Sequence, residues 1–177
     1  MKTEKKDTIY FILTGGTIDS FYDGTRDTAV TNKHSVIPDY IKSLRLYEKL
    51  NFAEVCMKDS RSLTTSDRAK IVQAIQKSAS DKIIITHGTY TMPDTARYLK
   101  AHLDRAGGRK RTIVFTGAMI PLVGFTPSDG PFNLGYALAQ VRTLQSGIYV
   151  CMNGKVFSPD EVVKELYKGR FASIFTK

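Results

Sequence analysis

Threonines flank glycines at the ends of several short apolar runs in this sequence. Thr14-Gly15-Gly16-Thr17-Ile18 follows the run Ile9–Leu13, Thr86-His87-Gly88-Thr89-Tyr90-Thr91 follows Lys82-Ile83-Ile84-Ile85, and Thr116-Gly117-Ala118-Met119 closes a third run from Thr112. Glycine lets a chain turn sharply and brings a neighbouring hydroxyl to the surface of the turn. Where such a turn opens a helix, its backbone N–H groups can hold an anion or a developing oxyanion. A hydroxyl there is a candidate nucleophile, provided a proton acceptor lies within reach. Spacing alone leaves the blander alternatives open, a tight turn or a phosphate-binding loop. His87 reads better as an imidazole that stabilises its own turn than as a catalytic base.

These hydroxyls are useful only if the fold brings them to one place. Strands are expected at Thr8–Leu13, Ala53–Met57, Ile83–Thr86, Thr112–Thr116 and Ile148–Met152, with helices near Ile37–Leu44, Ser66–Ser78, Asp94–Arg105, Phe132–Leu144 and Pro159–Tyr167. Alternation of β-branched runs with helical patterns is the signature of βαβ units. It implies a three-layer, doubly wound, mostly parallel α/β sheet of Rossmann-like type with helices on both faces. In such sheets ligands bind at the carboxyl ends of the strands, which is where the threonine turns fall. Thr65 or Ser66 offers a hydroxyl N-cap, Gly107-Gly108 suits a left-handed helix end, and Asp129 with Pro131 reads as an N-cap and first-turn proline. Residues 18–35 are polar and look too irregular for strand or helix, a length of loop that often acts as a lid.

The chain has 177 residues, of which 42% are hydrophobic, and this suits one domain spanning 1–177. Cys56 and Cys151 sit in apolar runs without metal-ligand or redox spacing, which fits a reducing environment. The N-terminal segment lacks a signal-type apolar stretch and no run approaches a membrane span, so a cytoplasmic location and no membrane partner are expected. A net charge of +9 would permit nucleic-acid binding. The basic residues are scattered, however, and the densest patch, Gly108-Arg109-Lys110-Arg111, reads as a solvated turn, so a nucleic-acid partner is not expected.

Taken in order, TGGTI at Thr14, HGT-x-T-M at His87, TGAM at Thr116, DGPFNL at Asp129, and Met152-Asn153-Gly154 followed by Val162-Val163-Lys164 resemble the bacterial-type L-asparaginases, over almost the whole chain. The resemblance implies the α/β N-terminal domain of that family, hydrolysis of a small-molecule side-chain amide to acid and ammonia, no metal or cofactor, and a homo-oligomer. It makes Thr14 the nucleophile and pairs Thr89 with Lys164, taken to lie on a helix, to activate it. Ser60 would hold the substrate carboxylate beside Gly88, and Tyr22 would reach in from the loop after the first strand. Lys164 can accept a proton only after losing its own, which requires burial or nearby positive charge.

The chain departs from that pattern in three ways. Tyr90 stands where the family has an aspartate that pairs with the substrate's α-amino group, and a neutral phenol cannot replace a charge-assisted bond. Arg61 stands where some relatives have glutamine. The family's smaller C-terminal domain is absent from the sequence. Together these imply an asparaginase-like amidohydrolase with a substrate other than free asparagine, such as an N-acylated or amine-free amide. The alternative is a non-catalytic ligand-binding or regulatory module on the same fold.

Overall fold

A computed structural model describes residues 8–104 and 109–175. The central sheet has six strands in the order β4-β1-β5-β6-β7-β8. These are β1 (Thr8–Gly15), β4 (Lys49–Lys58), β5 (Lys82–Thr86), β6 (Thr112–Thr116), β7 (Gly147–Met152) and β8 (Lys155–Phe157). The first five run parallel, and only β8 returns antiparallel, through a turn at Asn153-Gly154 where both residues have positive φ. Glycine tolerates that conformation and asparagine is among the few side chains that accept it.

The apolar runs of the inner strands are continuous because both faces are covered. Ile12, Ile83, Ile85, Ile113, Phe115, Val150 and Met152 pack on one side with Ile71 and Ile75 of α2 (Thr65–Lys77) and Met92, Ala96 and Leu99 of α3 (Met92–Asp104). Their alternates Ile9, Phe11, Leu13, Ile84, Val114 and Cys151 pack on the other with Ile37 and Ile41 of α1 (Ile37–Ser43) and Leu134, Ala137 and Val141 of α4 (Gly130–Thr143). The period of two divides each strand between two cores, and each fully buried isoleucine contributes roughly 1.5–3 kcal/mol. The chain is thus the three-layer, mostly parallel α/β fold expected.

Local readings needed revision in several places. The N-cap of α2 is Thr64, whose hydroxyl accepts from Asp67 N while the Asp67 side chain accepts from Thr64 N, a reciprocal capping box. Asp129 is not a side-chain cap. Its carboxylate instead accepts from Met119 N, Ile120 N and Asn133 Nδ2, fastening the loop after β6 to α4. Residues 18–35 are not wholly irregular, since β2 (Ser20–Asp23) and β3 (Thr28–Thr31) form an antiparallel hairpin. The expected helix at Pro159–Tyr167 is wrong: Val162–Glu165 is β9, antiparallel to β10 (Arg170–Ser173), with Lys164 opposite Phe171. The β-branched pair Val162-Val163 prefers a pleated surface, and Val162 and Phe171 bury themselves against the α3 side of the core. The Gly107-Gly108 helix end lies outside the described residues.

Candidate active site

Three loops meet at the carboxyl ends of β1, β4 and β5. A Cβ on Gly16 would stand 2.3 Å from Gly88 Cα, and one on Gly88 would stand 2.7 Å from Ser60 Cβ, so backbone touches backbone across the site. Gly16 also has a φ of 82°, which side-chain-bearing residues rarely adopt. Thr91 Oγ1 donates to Ser60 O at 2.8 Å and fixes the third loop to the second. This contact places the residues that follow each glycine, Thr17 and Thr89, on the wall of one cleft of about 220 Å³. Gly88, Ser60, Asp59, Arg61, Tyr90 and Lys164 complete its lining.

Lys164 enters this cleft from β9, not from a helix. Its Nζ donates to Thr89 Oγ1 at 2.6 Å. Half-burial pushes its pKa down, the guanidinium of Arg61 pushes it further in the same direction, and Asp59 opposes both. The ribbon carrying Lys164 is held by a relay of side-chain amides. Phe171 N donates to Asn153 Oδ1 at 2.9 Å, Asn153 N donates to Asn133 Oδ1 at 3.2 Å, and Asn133 Nδ2 donates to Gly117 O at 3.0 Å. The asparagines of the two later motifs therefore set where the lysine stands. Arg97 adds a bond from α3 to Val162 O at 2.9 Å.

Arg61 is not a free cation. Asp59 Oδ1 accepts from Arg61 N and Nε at 2.8 and 3.0 Å, and Oδ2 accepts from its second guanidinium nitrogen at 3.0 Å. The guanidinium lies 5.6 Å from the centre of the Tyr90 ring and Lys164 Nζ lies 6.0 Å from it, so two cations face one exposed aromatic ring. A second groove of about 280 Å³ shares Tyr90 and Lys164 with the cleft and is bounded by Arg97, Val163 and Leu166.

Not every expected residue arrives there. Thr14 is fully buried within β1, its hydroxyl donating to Thr86 O at 2.8 Å, because the strand runs on to Gly15 and keeps Thr14 inside the ladder. The hydroxyl of that turn which lines the cleft belongs to Thr17. Tyr22 sits on the exposed hairpin with its hydroxyl bonded to Asp27, and it is not among the cleft's lining residues. His87 is buried in its own turn, where Nδ1 bonds Gly88 O at 2.8 Å and burial lowers its pKa to about 4. The ring is therefore neutral and carries its proton on Nδ1, since a carbonyl can only accept. Sequence reasoning missed Thr17 and Asp59. The run of two glycines was the available signal for the first, because the residue after the turn, not before it, is the one set free. Among the described residues no group of three or more His, Cys, Asp or Glu could hold a metal ion, and no helix is long and apolar enough to cross a membrane.

Residues 8–172 match the family described as Asparaginase, N-terminal. The chain belongs to the asparaginase family. It is 30% identical to L-asparaginase 2 of Escherichia coli over 168 residues, covering 88% of this chain and 46% of that protein. It is 27% identical to the glutaminase-asparaginase of Acinetobacter glutaminasificans, covering 90% and 50%. Among solved structures, the probable cytoplasmic L-asparaginase of Campylobacter jejuni superposes with a TM-score of 0.77 at 30% identity, covering 95% of this asparaginase-family chain and 53% of that one. The chain thus spans about half the length of the relatives it matches.

Proposed function

We propose that this asparaginase-family chain hydrolyses a small-molecule amide, with the Thr17 hydroxyl as nucleophile in place of the buried Thr14. Thr17 Oγ1 attacks the amide carbon and gives up its proton towards Thr89 and a neutral Lys164. Backbone N–H groups of the Gly88-Thr89 turn receive the negative charge on the carbonyl oxygen. Collapse of the tetrahedral species breaks the C–N bond as the nitrogen takes a proton and leaves as ammonia. Water then cleaves the threonyl ester to the acid. The observation that carries this reading is the 2.6 Å Lys164–Thr89 bond in a cleft that Thr17 also lines. An amide is inert to a free hydroxyl at neutral pH, and this arrangement supplies the acceptor it needs.

The substrate is an amide without a free α-amine. The one carboxylate lining the cleft, Asp59, has both oxygens engaged by Arg61, and Tyr90 supplies no charge for an ammonium. The adjoining groove across Tyr90 has room for an acyl substituent on the nitrogen. In this reading Ser60 and Arg61 receive the substrate carboxylate. A cytoplasmic, homo-oligomeric enzyme is part of this reading.

Ammonia release from L-asparagine, L-glutamine, N-acetyl-asparagine and succinamic acid tests it. Release from the last two by the wild type, lost in Thr17→Ala and shifted towards L-asparagine in Tyr90→Asp, is the expected result. No ammonia from any variant would leave the chain a ligand-binding module, a reading that the engaged Asp59 and uncharged Tyr90 would then favour.

A further inference from the structure

The cleft of Thr17 and Thr89 does not end at Tyr90. Tyr90 and Lys164 belong both to its lining and to that of the adjoining groove, which holds about 280 Å³ beside the cleft's 220 Å³. The groove runs between the start of α3, at Pro93 and Asp94, and the chain from Val162 to Leu166. Side chains alternate along a strand, so Val162 and Lys164 share one face of β9. On that face Val162 is buried against the α3 side of the core and Lys164 reaches Thr89, which sets β9 beside the helix. Arg97 joins the two by donating from α3 to Val162 O at 2.9 Å.

Each charged group lining the groove already has a partner within the fold. Arg97 pairs with Asp94 at 3.2 Å as well as with Val162 O, and Lys164 Nζ donates to Thr89 Oγ1. A charged ligand would have to compete with these pairs for a counter-ion. What the groove offers without competition is apolar: Tyr90 and Leu166, both exposed, together with Pro93 and Val163. An exposed leucine close to an exposed tyrosine at the mouth of a cleft is surface that a ligand can take out of water.

We propose that the groove holds an apolar acyl group, several carbons long, carried on the substrate's α-nitrogen. The inference rests on the reading above for its orientation: with the amide at Thr17 and the carboxylate at Ser60 and Arg61, the substituent on the α-nitrogen is what remains to pass Tyr90. Leu166 is then a specificity residue, which touches the apolar tail and takes no part in the chemistry. A fatty acyl chain and an apolar residue of a peptide ending in asparagine share this chemistry.

Titration calorimetry of the full chain with N-acyl-aspartates, the acids that such substrates would leave, tests the groove without turnover. N-hexanoyl-aspartate is expected to bind roughly tenfold or more tightly than N-acetyl-aspartate, since each methylene taken fully out of water is worth about fourfold. Leu166→Ser should remove most of that advantage, Leu166→Met should keep it, and Tyr167→Ser, outside the lining, should leave it as in the wild type. Tighter binding of N-hexanoyl-aspartate than of N-acetyl-leucyl-aspartate assigns the tail to a fatty acyl chain, and the reverse assigns it to a peptide end. Equal binding of the hexanoyl and acetyl compounds, no binding of either, or an advantage that survives Leu166→Ser overturns the proposal. Ammonia release from N-acetyl-asparagine is read separately. Release without a chain-length advantage removes the groove's role and keeps the hydrolase, whereas a chain-length advantage with no release from any amide keeps the groove and removes the hydrolase.

Discussion

The two sides of the asparaginase-type cleft are built differently. On the side of Thr17 and Thr89, loops from β1 and β5 press backbone against backbone at Gly16 and Gly88, where no Cβ fits. On the side of Lys164, a two-stranded ribbon outside the central sheet is tied in by Asn153, Asn133 and Arg97 and by burial of Val162 and Phe171. The first side inherits its geometry from the parallel ladder and cannot be altered without disturbing the fold. The second is set by side chains and can be altered one bond at a time.

Removing the amine itself separates chemistry from folding most strongly. Lys164→Met is expected to lower amide hydrolysis by about 10²–10⁴-fold, the range for a lost acid–base group, with little change in melting temperature. A large drop in melting temperature would break the contrast. Gly16→Ala should do the opposite and lose about 3 kcal/mol or more of stability in urea, from overpacking against Gly88 and strain at positive φ. Retention of wild-type stability would show that the loops can part.

A pH effect sharpens the contrast on the loop side. Asp19 closes the base of the β2–β3 hairpin by accepting from Ser35 Oγ and Val36 N at 2.8 Å each, and burial raises its pKa from 3.8 to about 6. The folded state then holds the proton more tightly. Its stabilisation is complete below about pH 4 and is lost as pH rises through 6, an effect of about 2–3 kcal/mol. Urea midpoints at pH 4 and pH 7 should fall less in Asp19→Asn than in wild type. Buried His87, with its pKa lowered to about 4, acts in the opposite direction over this window, but it is common to both proteins and cancels in the difference. On the ribbon side, Asn153→Ala removes the acceptor for Phe171 N and should lose about 1–2 kcal/mol while reducing activity more than stability. Smallest of all, Arg61→Gln removes a positive neighbour of Lys164. It should move the alkaline-rising limb of the pH–rate profile to higher pH, read from initial rates between pH 6 and 10.

The same division governs what the sequence revealed. Strands β1, β5, β6 and β7 were legible because inner strands of a parallel sheet are apolar on both faces. The edge strand β4 begins at Lys49, earlier than expected, because its first face points into an uncovered groove and carries Lys49 and Asn51 instead of apolar residues. The β2–β3 hairpin was hidden because Phe21 and Tyr22 are both exposed and no alternation of buried and exposed residues marks its two short strands. Thr14 and Thr17 could not be told apart without knowing that β1 extends through Gly15. For Lys164 the residue was found but not its support, since Val162-Val163 followed by Lys164 and Glu165 fits a helix face until β10 pairs with it. Contacts between loops and pairing at a distance leave no periodic mark in a sequence.

Tyr90 follows directly on Gly88 and Thr89, yet the residue is 52% exposed and has no atom in the close contacts at Gly16 and Gly88. Position 90 is therefore a place where chance substitutions can accumulate without being purged by misfolding. On the proposed reading, a lineage that keeps its two threonines and its lysine is free to explore new amides there by single steps, each leaving a foldable protein for selection to judge.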